Sequence, residues 1–249
     1  MNRIFLLIMS ACLFGLLPAR AADSTNAVKQ FMLKVQQAYK SASYLSFHVV
    51  YRYANKDKPQ QYIDTMSGEV ALDKNHMRFT IENMETVTND TYTLQIDNDE
   101  KLISVSTPQP AQMNNPVAML DSALARFEGI HAGVTSNKGM ATLTLNFPPG
   151  QTYRNVIMVI NEKTGFFQQV VYELHTDELV EKDQLMGQGG GGPYQSEGRI
   201  EILFSDYRQG KFSDELFNEE RYINRLAKGK YQPAEKYKDY QVFLASPKL

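Results

Sequence analysis

The sequence predicts a mainly β protein built on one strongly curved antiparallel sheet, an unclosed half-barrel with helices packed in or over its concave face. Runs with apolar residues at every second position recur along most of the chain, which is typical of strands with one buried face. Short polar segments rich in Asp, Asn, Lys and Glu separate many of these runs, as expected of hairpin turns. Strands and helices do not alternate regularly, so a parallel sheet is not indicated.

Residues 1–21 have the three parts of a cleaved secretory signal. An apolar run over residues 4–17 follows a basic start, and small residues precede the cleavage position. We therefore expect a mature protein that begins at Ala22 and is exported to the periplasm. The alternative is a lipoprotein in which Cys12 is acylated instead of removed.

The composition excludes several functional classes. Loss of residues 1–21 removes two arginines and Cys12, the single cysteine, so the net charge falls from −2 to −4 and no thiol remains. Such a chain has no disulfide, no Cys-ligated metal site and no Cys nucleophile. A weakly acidic balance also argues against a nucleic-acid partner, which requires clustered Lys and Arg.

Two helices are predicted before residue 217. The first covers residues 28–38, where apolar side chains recur at helical spacing. The second covers residues 117–127, because Pro116 occupies the first helical position after a capping asparagine and an apolar stripe follows. We expect this second helix to dock in the concavity as a lid.

The alternating runs predict roughly eight to ten strands, the first of them joined as consecutive antiparallel hairpins. After these runs, residues 219–226 have a helical pattern, and a charged tail with Tyr231, Tyr237 and Tyr240 follows. The runs cover residues 47–53, 66–72, 77–81, 92–96, 103–105, 141–147, 156–160, 170–174 and 200–204.

Three segments of this pattern occur in a recognisable order. A glycine-led strand over residues 67–72 runs through a short turn into Met77-Arg78-Phe79. Residues 93–103 form a strand that reaches an Asp-containing turn, and residues 204–217 form a last strand with a closing phenylalanine. Over residues 25–217 the chain thereby resembles the LolA-like family of periplasmic carriers of outer-membrane lipoproteins and lipids.

The chain also departs from that family. The turn after the glycine-led strand contains Asp73-Lys74-Asn75 in place of an Arg-Pro pair, and the chain has no tryptophan. We expect a signal peptide over residues 1–21, a LolA-like half-barrel domain over residues 22–217 and an additional C-terminal helical or extended tail over residues 218–249.

The resemblance implies an apolar cleft that binds a lipid or lipoprotein acyl chain. A half-open sheet of this width has a concave face that its own side chains cannot fill. Acyl chains suit such a face, since each buried methylene contributes about 0.8 kcal/mol. The alternative is that the same residues form an ordinary core. The inward-facing set consists of Phe47, Val49, Tyr51, Val70, Leu72, Met77, Phe79, Ile81, Tyr92, Leu94, Ile96, Leu120 and Leu124.

No hydrolase or metalloprotease motif occurs, so we expect no catalysis, no cofactor and no metal. His175 and Asp177 would share a strand face but are too few ligands for a metal site. Asp97-Asn98-Asp99 is better explained as a hairpin turn than as a calcium loop, because the required glycine is replaced by Leu102. The glycine-rich stretch over residues 187–192 is interpreted as a flexible hairpin connection.

The function expected from these features is that of a soluble, monomeric carrier or binding protein for lipid or lipoprotein acyl chains in the cell envelope. The alternative is an envelope-sensing or interaction module that uses the same half-barrel to bind a protein partner. The tyrosine-rich tail favours a membrane-associated protein partner, because tyrosine combines contact area with a polar tip.

Overall fold

The structure, a computed structural model, describes residues 22–108, 129–180, 185 and 192–246. The predicted signal segment, the predicted helix over residues 117–127 and residues 187–191 of the glycine-rich stretch lie outside the described residues. Within the described ranges, no helix has both the length and the apolar character needed to cross a membrane.

The described part of the chain contains an α-helix, α1 (Ala22–Ser41), followed by strands. Short 3-10 helices lie at Thr176–Glu178, Asp214–Phe217, Glu219–Arg221 and Glu235–Tyr237. The strands are β1 (Tyr44–Asn55), β2 (Tyr62–Asp73), β3 (His76–Ile81), β4 (Met84–Thr88), β5 (Thr93–Asp97), β6 (Leu102–Ser106), β7 (His131–Asn137), β8 (Met140–Asn146), β9 (Tyr153–Asn161), β10 (Phe167–His175), β11 (Glu197–Gln209), β12 (Ile223–Ala227), β13 (Lys230–Pro233) and β14 (Gln241–Leu244).

Twelve of these strands form one sheet in the order β14-β6-β5-β4-β3-β2-β1-β11-β10-β9-β8-β7, and β12 pairs with β13 in a separate two-stranded sheet. The large sheet is antiparallel except that β14 pairs in parallel with β6. Its two end strands do not pair with each other, so the sheet is not closed into a barrel. The predicted fold class, a mainly β protein on an unclosed antiparallel sheet, is confirmed.

The described residues group into two compact units. The helix unit contains residues 22–39 and 50–65 and the described part of 129–204. The tail unit contains residues 40–49, 66–108 and 205–246. The domain boundaries expected after residues 21 and 217 stay predictions.

In the helix unit, α1 packs its apolar stripe against the sheet, as the helical spacing predicted. Val28, Phe31, Met32 and Val35 are buried in one cluster with apolar residues of β8 and β9. Gly165 allows a close approach to this helix, because a Cβ built there would lie 2.7 Å from the Cβ of Ala38. The sheet residues buried in this cluster are Ala141, Leu143, Leu145, Val156 and Ile160.

In the tail unit, β2 to β6 form consecutive antiparallel hairpins. The predicted antiparallel pairing is confirmed, but the direct pairing expected between residues 77–81 and 92–96 is wrong, because β4 lies between these two strands and pairs with both. The turn between β5 and β6 is held by the Asp97 carboxylate, which accepts hydrogen bonds from the backbone N–H groups of Asp99 and Glu100 at 3.0 Å each. This geometry confirms that Asp97-Asn98-Asp99 is a hairpin turn.

The C-terminal segment, residues 218–246, differs from the expectation. The helix expected over residues 219–226 is replaced by the 3-10 turn Glu219–Arg221 and strand β12. The turn before β13 brings the two strands together, with Gly229 at a φ of 68°. Tyr222, Ile223 and Tyr237 are buried at 1%, 2% and 5% exposure, so this segment contributes to a packed core.

Candidate functional site

The pairing of β2 to β6 in the tail unit defines two faces of this part of the sheet. Directly opposed residues of antiparallel strands point to the same side. Val70, Phe79, Thr86, Gln95 and Ser104 form one such row across five strands. We call this side the Phe79 face. A second row on it consists of Leu72, Met77, Thr88, Thr93 and Ser106, and a third of Gly68, Ile81, Met84, Asp97 and Leu102.

The Phe79 face therefore carries five residues of the predicted cleft. Phe79 and Ile81 are buried, whereas Val70, Leu72 and Met77 are partly buried. Their neighbours on β4 to β6 are mainly hydroxyl and amide side chains. The Phe79 face thus changes from apolar on β2 and β3 to mainly polar on β4 to β6.

Strand β1 adds two more predicted residues to the Phe79 face. The imidazole Nδ1 of His48 lies 3.2 Å from a carboxylate oxygen of Glu69, which belongs to the opposite face. Because side chains alternate along a strand, Phe47 and Val49 point to the Phe79 face. Both are buried, and the Phe47 ring contacts the ring of Tyr207 at a centroid distance of 5.1 Å.

The placement of Tyr92, Leu94 and Ile96 corrects the sequence prediction. Leu94 opposes Val87, and Ile96 opposes Glu85, so both lie on the side opposite to Phe79. We call this side the Leu94 face. Alternation shows which residues of one strand point to the same side. It does not show whether that side is the one to which the residues of another strand point. The pairing register across β3, β4 and β5 determines this relation. The thirteen predicted residues therefore do not form one lining.

The Leu94 face of β4 to β6 is covered by the C-terminal segment of the same unit. Tyr92, Leu94 and Ile96 are 5% exposed or less. Tyr222 and Tyr237 pack in the same cluster, with their two rings stacked at 5.5 Å. These three predicted cleft residues are therefore core residues, and the face they occupy is already filled by the chain itself.

The remaining predicted residues fall elsewhere. Tyr51 belongs to the helix unit, where it is partly buried and packs against a cluster that includes Val170 and Ile202. Leu120 and Leu124 lie outside the described residues. Asp177 lies in the 3-10 helix Thr176–Glu178 and not on a strand face beside His175, which corrects the shared-face prediction.

Met84 is a residue of the Phe79 face that the sequence analysis missed. It opposes Ile81 and extends the apolar part of the face onto β4. Strand β4 was not predicted, although Met84, Thr86 and Thr88 do alternate with Glu85 and Val87. The two threonines weaken the apolar signal because they point to the same side as the methionine.

Polar clusters occur in both units. In the tail unit, the Glu85 carboxylate accepts hydrogen bonds from Arg78 and from Tyr222. In the helix unit, the hydroxyl groups of Tyr53 and Thr176 lie 2.7 Å apart, and burial raises the pKa of Tyr53. Among the described residues, no group of three or more His, Cys, Asp or Glu side chains is placed to hold a metal ion.

No protein-family model matches the chain, and no curated protein matches it. Several solved structures are similar. An uncharacterized conserved protein from Thermus thermophilus has a TM-score of 0.47 and 10% identity, with 88% of this chain and 99% of that chain covered. A LolA superfamily protein from Nitrosomonas europaea has a TM-score of 0.33 and 15% identity over 76% of this chain and 96% of its own.

The lipoprotein LppX from Mycobacterium tuberculosis has a TM-score of 0.38 and 14% identity, with 76% of this chain and 99% of that chain covered. A LolA superfamily protein is thus among the solved structures to which this chain is similar.

Proposed function

We propose that this chain is an exported, non-catalytic protein that binds an acyl chain of a lipid or lipoprotein in the cell envelope. The observation that carries the proposal is the division of the Phe79 face. Val70, Leu72 and Met77 place apolar groups on adjacent strands, and these side chains are only partly buried. The adjoining part of the same face carries hydroxyl and amide groups, of which Gln95 and Ser104 are partly buried and Thr86 is buried.

The apolar part of the Phe79 face suits an acyl chain. Neighbouring strands are about 4.8 Å apart, so the rows that contain Val70 and Leu72 provide a continuous apolar surface across β2 and β3. Burial of each methylene against it contributes about 0.8 kcal/mol, so several methylenes supply useful affinity without any polar contact. The partly buried methionines Met77 and Met84 add adaptable surface.

The polar part of the Phe79 face defines the other end of the ligand. Thr86, Gln95 and Ser104 are uncharged and lie side by side on β4, β5 and β6. Hydroxyl and amide groups pair well with ester, amide or hydroxyl oxygens, whereas phosphate is bound more strongly by arginine or lysine. We therefore infer that the linkage region of an acylated molecule, and not a phosphate, lies over this part of the face.

Displacement of a fluorescent fatty acid tests the proposal. Val70→Gln should weaken probe binding by about tenfold, because it places an amide among apolar neighbours. Ala71→Gln is the matched control, since it adds the same side chain to the next position of β2 but on the Leu94 face. Equal affinities of the two variants, or no probe binding after delipidation, would contradict the proposal and favour the protein-binding alternative.

Export is tested separately. Sequencing of the N-terminus of the mature protein is expected to read Ala-Asp-Ser-Thr, beginning at Ala22. An acylated N-terminus at Cys12 would show that the segment is a lipoprotein signal. Native mass spectrometry of protein isolated from its own cell envelope then distinguishes the ligands, since a co-purified acylated molecule supports the carrier and a bound protein supports the interaction module.

A further inference from the structure

The hairpin of β12 and β13 combines basic side chains with one exposed leucine. Residues 223–233 contain Arg225, Lys228 and Lys230 and no acidic residue, in a chain whose net charge is −2. All three basic side chains are exposed. Leu226 is 63% exposed, more than any other large apolar residue of the described chain. The hairpin is therefore a local basic and apolar surface on an acidic protein.

A bulge explains the exposure of Leu226. Arg225 opposes Tyr231 and Ala227 opposes Lys230, with a register shift between these two pairs. Leu226 is thus the extra residue on β12 and has no partner on β13. A bulge redirects the side chain that occupies it, and here the redirected side chain lies between Arg225 and the basic turn.

The base of the hairpin is fixed to the tail unit. Ile223 is buried, and the Tyr231 ring packs edge-on against the ring of Tyr92 at a centroid distance of 5.8 Å. The backbone N–H of Ala234 donates a hydrogen bond of 2.9 Å to the carbonyl of Tyr222. The tip of the hairpin is therefore presented by a well-packed support.

The positive charges of the tip are not neutralised by the described residues. Two other lysines of the tail unit are paired: Lys101 with Asp239, and Lys238 with Glu235 at 3.2 Å. In the part of the chain that the structure describes, no carboxylate lies at ion-pair distance from Arg225, Lys228 or Lys230. These charges are available to an external anionic surface.

We propose that the β12–β13 hairpin docks the protein on an anionic lipid surface, with Leu226 entering the interface between headgroups and acyl chains. Basic residues near such a surface are each attracted by about 1 kcal/mol, and an apolar side chain adds burial in the interfacial region. An acidic protein would satisfy the charges but gives no reason for an exposed leucine at their centre. This inference concerns a surface separate from the Phe79 face.

Co-sedimentation of the mature protein with vesicles tests the inference. Vesicles of phosphatidylcholine with 30% phosphatidylglycerol should bind the protein, whereas vesicles of phosphatidylcholine alone should bind it much less. Lys228→Gln with Lys230→Gln should weaken binding about 25-fold, since each lost charge is equivalent to about fivefold. Leu226→Ser should also weaken vesicle binding. It should change the salt dependence of binding less than the two lysine substitutions do, because it removes no charge.

Matched controls use the same changes elsewhere. Lys58→Gln with Lys163→Gln removes two exposed lysines of the helix unit, and Phe243→Ser removes a side chain that is 58% exposed. Both controls should bind vesicles like the unchanged protein. The inference would be overturned if the control variants lost as much vesicle binding as the hairpin variants. It would also be overturned if the protein showed no preference for anionic vesicles, or if it bound only to an acidic protein. Displacement of the fatty-acid probe from the same samples reports on the proposed ligand site independently.

Discussion

The phenol of Tyr222 donates a hydrogen bond to the carboxylate of Glu85, and this contact joins the C-terminal segment to strand β4 of the same unit. The Glu85 side chain is only 12% exposed and also accepts a hydrogen bond from Arg78. Both donors are needed because burial of a carboxylate lowers the stability of the folded protein unless the carboxylate is paired and hydrogen-bonded. The Leu94 face is thus closed by a polar contact as well as by apolar packing.

Tyr222→Phe is expected to lower the free energy of unfolding by about 1.5–3 kcal/mol, the range for hydrogen bonds to charged groups. Urea denaturation measures this change. Tyr240→Phe is the matched control, because its hydroxyl donates a 2.8 Å hydrogen bond to the neutral side chain of Asn98 at an exposed position. Similar losses in both variants would show that Glu85 gains no special stability from Tyr222.

Alkaline pH is expected to destabilise the protein through the same residue. Burial raises the pKa of Tyr222 above its ordinary value of 10.0, and the hydrogen bond to Glu85 raises it further. In the unfolded chain the phenol ionises near pH 10, whereas in the folded protein it stays neutral. The stability that the neutral Tyr222 phenol contributes to the folded protein is therefore complete below pH 10. This stability is lost as the pH rises from 10 towards the pKa of Tyr222 in the folded state.

Melting temperatures between pH 8 and pH 11 check this prediction. The unchanged protein should lose stability faster above pH 10 than Tyr222→Phe does, because the variant lacks the titrating group. Absorbance of tyrosinate gives a second measurement: Tyr53, Tyr92 and Tyr194, whose pKa values burial also raises, should ionise late in the folded protein. Parallel pH profiles for the two proteins would contradict the assignment.

The sequence predicted the elements better than it predicted their faces. The apolar spacing of Val28, Phe31 and Val35 defines the buried side of α1, because a helix of this length has one continuous stripe. The sequence of a strand as short as β5 does not show which side of the sheet its apolar residues occupy. Leu94 and Ile96 share a side, but whether that side is the one of Phe79 depends on the pairing through β4.

The C-terminal segment could not be predicted from its own pattern. Tyr222 and Ile223 are adjacent and both buried, which fits neither a regular strand nor an amphipathic helix. They are buried because the apolar residues of β4 to β6 on the Leu94 face need a cover, and this requirement belongs to the tertiary structure. Edge strand β7 was not predicted for the opposite reason: most of its residues are exposed, so its sequence shows no apolar alternation.

Ile223→Ala and Leu226→Ala compare two aliphatic residues of strand β12. Ile223 is 2% exposed, so truncation should create a cavity and destabilise the protein by about 2–5 kcal/mol. Leu226 is 63% exposed, and its truncation should change stability by less than about 0.5 kcal/mol. Urea unfolding of both variants measures the difference. A small effect of Ile223→Ala would show that the C-terminal segment is not part of the core of its unit.

Gly68→Ala tests the close approach of β2 to β3. A Cβ built on Gly68 would lie 2.2 Å from the carbonyl oxygen of Thr80, a backbone atom that moves only if the strands separate. Overpacking of this kind costs about 1–3 kcal/mol, and the displacement would also shift Val70 on the Phe79 face. We therefore expect both a lower melting temperature and weaker binding of the fatty-acid probe.

Gly133→Ala in β7 separates this contact from a general effect of glycine. A Cβ built on Gly133 meets no atom within 4 Å, so alanine there should leave stability unchanged or raise it by about 0.5–1 kcal/mol through the smaller entropy of the unfolded chain. Opposite signs for the two substitutions, measured by thermal unfolding, are the expected result. If Gly68→Ala were as stable as Gly133→Ala, the separation of β2 and β3 would be wider than the structure gives, and the row from Val70 to Phe79 would not form one continuous apolar surface.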